Sequence, residues 1–160
     1  MRNYFEIFSL EEKFALDVDA LEKKYIEFQN LFHPDKSSSD DIEQSIQINE
    51  AYKILADDFL RACYLLALKG VDIRKDELAI RPDMATLEHV LELQENIAEI
   101  SDKNEIEELR KKLNSEVKEL IAESMNLLES NEIQASGQIL VKAKYLKKSL
   151  EDLKIRKQKL

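Results

Sequence analysis

Apolar residues recur along most of the chain at alternating spacings of three and four. Val18, Leu21, Tyr25, Phe28 and Phe32 keep that rhythm, which places them on one face of an amphipathic helix, with Asp17 suited to cap its start. Ile48, Ala51, Tyr52 and Leu55 repeat it, so a second helix is expected to return along the first. Short apolar pieces flank this hairpin, "YFEIF" before it and "FLRACYLLALKG" after it, with Gly70 placed as a helix C-cap. Residues 71 to 83, "VDIRKDELAIRPD", hold no sustained period and lead into Pro82, which marks a connection between two helical regions. Beyond it lie three more periodic segments. The first runs over about residues 84 to 100. The second carries Ile106, Leu109, Leu113, Val117, Leu120 and Ile121, and the third Ile139, Ala143, Leu146, Leu150 and Leu153. Only "SDKN" and "ESNE" separate them, and links that short make neighbouring helices antiparallel, predicting a three-helix bundle.

Composition sharpens this all-α expectation. With 2 Gly and 2 Pro in 160 residues there is little material for strand turns, and neither glycine-rich phosphate-binding pattern occurs. Any ATP chemistry must then belong to another protein. A net charge of −9 argues against a nucleic-acid surface, because phosphate contacts need clustered Lys and Arg. Cys63 stands alone in the apolar run "ACYLLAL", and with only His33 and His89 beside it no Cys/His metal site of ordinary spacing can be assembled. No apolar stretch approaches the roughly 20 residues of a membrane span. The start, "MRNYFEIF", has neither a signal peptide's core nor a transit segment's composition. A soluble protein of a reducing cytoplasm is expected, with no membrane partner and no cofactor.

The hairpin tip carries the most distinctive chemistry. Within "NLFHPDKSSSDD", residues 30 to 41, Pro34 stops a helix because it lacks an N–H and restricts the residue before it. His33 and Asp35 flank it as a conceivable acid/base pair. Catalysis needs a third group to orient the histidine and donors to stabilise developing charge, whereas "KSSSDD" offers no second histidine and no glycines. A solvated turn and a docking loop remain as the alternatives.

The order of the pieces says more than the tripeptide alone. A short aromatic helix "YFEIF", a longer helix "ALEKKYIEFQNLF", the loop "HPDK" and a helix with "NEAYKIL" follow one another, and together they resemble a J domain. The similarity extends through "NYFEIFSLEEKFALDVDAL", "YLLALKG" and the helical C-terminal half, so nearly the whole chain resembles the HscB-type J-domain co-chaperones of iron–sulfur cluster assembly. On this reading a J domain takes residues 1–70, a connecting segment 71–83, and a scaffold-binding three-helix bundle 84–160. The resemblance implies that His33, Pro34 and Asp35 dock on an HscA/DnaK-type chaperone and speed its ATP hydrolysis, with Lys23, Lys24 and Lys36 supplying a basic face. The chain itself would be no enzyme. Asn30 departs from the pattern, standing where relatives often carry a basic residue. A general DnaK co-chaperone for other clients is the first rival, but no Gly/Phe-rich linker or cysteine-rich zinc module is present. A helical structural adaptor with an accidental His-Pro-Asp is the second. Because Met1 leads directly into the J-like region, no bound cluster or metal is expected.

A second surface is legible in the segment from Met84 to Ile100. At about 100° per residue, Val90, Leu93, Ile97 and Ile100 cluster within an arc of about 80°, while Met84, Leu87, Leu91 and Ala98 occupy a separate arc of about 60°. One arc serves the core. The other either packs within the protein or meets a partner, and Glu88, Glu92 and Glu95 give it an acidic margin. In the family this helix is the region that binds an IscU-type scaffold protein. The resemblance implies contacts from Leu87, Leu91, Glu92 and Glu95, with Tyr145 of the last helix as an aromatic anchor; Glu88 stands where relatives can carry a larger apolar residue.

Overall fold

The computed structural model describes residues 2–32 and 39–160, and within them it contains helices, turns and irregular connections but no strand. In chain order the helices are α1 (Tyr4–Ile7), α2 (Val18–Leu31), α3 (Ser39–Ala56), α4 (Asp58–Leu68), α5 (Met84–Glu99), α6 (Lys103–Glu129) and α7 (Ile133–Gln158). The all-α fold expected from periodicity and composition is the one observed.

Short polar side chains set the starts. Asn3 and Glu6 close a capping box on α1, Asp17 accepts from the Ala20 N–H at 3.1 Å, and Asp83 accepts from the Thr86 N–H at 2.8 Å. The Thr86 bonds hold the Asp83 carboxyl below its ordinary pKa, so it stays a charged acceptor at the positive end of α5. Left-handed residues set several ends. Gly70 has φ +96°, and there the Val71 N–H donates to the Leu66 carbonyl at 3.3 Å while the Gly70 N–H donates to that of Ala67 at 2.9 Å. Ser9 closes α1 and Asn131 closes α6 by the same pattern at φ 52° and 60°.

The chain divides into two compact units, Met1–Leu65 and Leu66–Leu160. In the first, α2 and α3 pack together as a hairpin and α1 lies against α3. Phe5, Phe8, Leu21, Ala51 and Leu55 are buried there. Tyr25 stacks on Tyr52 with centroids 4.0 Å apart, and its hydroxyl donates to Asn49 Oδ1 at 2.7 Å, so the hairpin is tied by both area and a polar bond. The joint between α3 and α4 is held by Arg61, which is 4% exposed. Its guanidinium donates to the Leu55 carbonyl at 2.6 Å, to the Phe14 carbonyl at 3.0 Å and to Asp58 at 2.9 Å, which compensates the cost of burying a charge.

In the second unit α5, α6 and α7 form the expected bundle, with α6 and α7 sharing the largest interface. Ile97, Ile100, Ile106 and Leu153 make one core cluster across all three helices. The segment between α4 and α5 is fastened to α7. Ile73 and Ile80 are buried, Lys144 Nζ donates to the Ile73 carbonyl at 3.0 Å, and Gln138 Nε2 donates to that of Arg81 at 2.9 Å. Gly137 on α7 permits this approach, since a Cβ there would overlap the Ile80 side chain.

Candidate functional site

The expectations for His33, Pro34, Asp35 and Lys36 concern residues outside the described ones. Their flanks are defined: α2 ends at Leu31, with the Phe32 N–H donating to the Phe28 carbonyl at 2.9 Å, and α3 starts at Ser39. The two other lysines named from the sequence differ from each other. Lys23 is exposed, whereas Lys24 is half-buried and its Nζ donates to the Phe8 carbonyl at 2.7 Å, fastening the end of α1 to α2. Asn30 is exposed in the last turn of α2. The outer sides of the hairpin also present Ile26 and Leu31 on α2 and Ile42 and Ile46 on α3.

On α5 the two apolar arcs separate as the periodicity predicts. Leu93, Ile97 and Ile100 are buried and Val90 is half-buried, while Met84, Leu87, Leu91 and Ala98 face solvent. Leu91 is 59% exposed and Leu87 38%, so neither completes the core. Glu88, Glu92 and Glu95 are exposed along the far margin. The near margin is α7: Leu87 and half-buried Tyr145 line one groove, and Ala98 and exposed Ile155 line another further along. The outer arc of α5 therefore borders α7 at two grooves, with Tyr145 in one and Ile155 in the other, and α5 and α7 run in the same direction.

Sequence reasoning brought together Leu87 and Tyr145 and missed Leu78 and Ile155. Leu78 lies in the aperiodic segment before α5, is 72% exposed, and lines the groove with Leu87 and Tyr145. Ile155 falls off the apolar repeat of α7 and carries no signal until α5 is placed beside it. Among the described residues no group of three or more His, Cys, Asp and Glu side chains is arranged to hold a metal ion, and no helix is long and apolar enough to cross a membrane.

Comparison with known proteins assigns both halves. Residues 3–64 match the DnaJ domain family and residues 82–154 match the HSCB C-terminal oligomerisation domain family. A relative from Psychromonas ingrahamii, a co-chaperone protein HscB homolog, is 31% identical and aligns over 99% of this chain and 98% of its own. An Arabidopsis thaliana relative described as an iron–sulfur cluster co-chaperone protein HscB homolog is 28% identical over 94% of this chain, which spans 62% of that protein's length. The crystal structure of the human co-chaperone protein HscB superposes with a TM-score of 0.87 at 27% identity, covering 100% of this chain and 84% of that one. A J domain followed by an HscB-type C-terminal domain, each matched in chain order, places this chain in the HscB family of co-chaperones.

Proposed function

We propose that the chain recruits an iron–sulfur scaffold protein of the IscU type to an HscA/DnaK-type chaperone in the cytoplasm and stimulates that chaperone's ATPase. The J domain, residues 1–70, addresses the chaperone, and the bundle, residues 84–160, addresses the scaffold. His33, Pro34 and Asp35 dock on the ATPase, with Asp35 pairing with a cationic group there and Lys23 and Lys36 steering the encounter, while Lys24 is held on the Phe8 carbonyl. The hydrolytic chemistry stays in the chaperone, so this chain holds no catalytic residue. Leu87, Leu91 and Tyr145 supply the apolar contact with the scaffold, and Glu92 and Glu95 its charged rim.

The observation that carries this reading is the outer arc of α5. Its leucines remain exposed on a helix whose core face is already complete, and they sit in an HscB-type domain. Holding both partners on one chain raises their mutual effective concentration without any bond between them, which is what a recruiting factor contributes. The test is the steady-state ATPase rate of the chaperone with increasing amounts of this chain. Wild type should stimulate the rate and the triple change His33→Ala, Pro34→Ala and Asp35→Ala should abolish stimulation while leaving helical content intact. A triple variant that stimulates normally would refute the docking role of the loop.

A further inference from the structure

The segment between α4 and α5 does more than connect. Asp72 Oδ1 accepts from the Arg74 and Lys75 N–H groups at 3.1 Å each, and Asp76 Oδ1 accepts from the Leu78 N–H at 2.9 Å. Buried Ile73 and Ile80 and the bonds from Lys144 and Gln138 fasten it to α7 on either side of Leu78. An anchored segment thus carries a leucine that is 72% exposed, and it does so against the groove of about 560 Å³ that Leu87 and Tyr145 line. Exposed apolar area gains nothing for folding, and its position beside the strip of α5 gives it a use in association.

We propose that residues 72–82 form the second wall of the scaffold-docking groove, with Leu78 as its contact residue and Lys148 as the cation beside it. This rests on the reading above that the outer arc of α5, with Tyr145 of α7, holds the scaffold. The charges around that arc state what the occupant must present. Arg81 and Lys148 are exposed at the groove itself and outnumber its one exposed carboxylate, Glu77, while Glu88, Glu92 and Glu95 line the opposite margin of α5. A complementary scaffold segment places an apolar side chain between Leu78 and Leu87, a carboxylate toward Lys148 and Arg81, and a cation toward the glutamates.

The test is calorimetric titration of the full chain with the purified scaffold protein, comparing wild type with Leu78→Ala, Lys148→Glu and the double variant Leu87→Ala, Leu91→Ala. Leu78 is exposed, so its truncation should leave the circular dichroism melt unchanged. Leu78→Ala should weaken scaffold binding about tenfold, and Lys148→Glu should weaken it most at low salt. Wild-type affinity in both single variants, with weak binding only in the double variant, would overturn the second wall and leave the α5 reading standing. No binding by wild type would overturn both. If Leu78→Ala instead shifts the sedimentation of the chain alone from dimer to monomer at unchanged scaffold affinity, the groove's occupant is a second copy and the proposal fails.

Discussion

On α6, Glu107 accepts from Lys157 Nζ of α7 at 2.6 Å and from Arg110 Nε at 3.0 Å, joining two helices of the bundle at their polar edge. These hydrogen bonds, that from Lys157 foremost, lower its carboxyl from the ordinary 4.5 to about 2. A carboxylate depressed in the folded state stabilises that state fully above its unfolded pKa and loses the contribution as pH falls through the folded one. The loss therefore spans about pH 4.5 to 2. The pair is solvent-facing, so the effect is small beside core packing. A carboxyl titration followed by NMR should place Glu107 near 2, and the melting temperature of wild type should fall more over that window than that of Glu107→Gln. Equal acid sensitivity in the two proteins would contradict the assignment. The i,i+3 spacing of Glu107 and Arg110 announces their pair, but nothing along the chain announces Lys157, which reaches Glu107 only when α7 packs on α6.

Between elements, the lysine pair of α2 divides into two roles. Lys24 satisfies the carbonyl at the end of α1, and Lys23 projects into solvent. Lys24→Ala should lower unfolding free energy by about 1–2 kcal/mol in urea denaturation, whereas Lys23→Ala should stay within about ±0.5 kcal/mol. Chaperone association should slow with Lys23→Ala, chiefly at low salt, because exposed charges are screened beyond about 8 Å at physiological ionic strength. Equal stability of the two variants, or association rates indifferent to Lys23 and to salt, would count against this division. Adjacent lysines look alike in sequence, and only the position of Phe8 separates them. The longer helices were legible because they bury stripes that repeat every three to four residues, and the two arcs of α5 were legible for the same reason; α1 and α4 showed only as short apolar runs. The contacts of α7 were less so. Ser136, Gly137 and Ser149 are buried in it: Ser124 bonds to Ser136, Ile80 leaves no room for a Cβ at Gly137, and the Ser149 hydroxyl donates to the Tyr145 carbonyl. An apolar count passes over such positions. It also passes over residues 71–83, whose fastening to α7 depends on two carbonyls and two isoleucines without a period.

Across the whole chain, the two compact units match two families, and under the proposed function each has its own task. The first pairs a short helix with a stapled hairpin whose helices flank the His-Pro-Asp tripeptide in sequence, and the second builds a bundle whose first helix has apolar surface left over. The tripeptide was recognisable from its setting between two amphipathic helices, while Leu78 and Ile155 became visible only when the bundle set them beside Leu87 and Ala98. The central claim, that one chain joins a chaperone and a scaffold through different surfaces, is tested most directly by the chaperone's ATPase rate with and without scaffold, using the Leu87→Ala, Leu91→Ala variant. Burying such a leucine contributes roughly 1.5–3 kcal/mol, so the double change should weaken scaffold binding tenfold or more. The variant should stimulate the chaperone like wild type when the scaffold is absent and lose the additional stimulation that scaffold confers. Unchanged stimulation in both conditions, or a fall in stimulation without scaffold, would contradict the account.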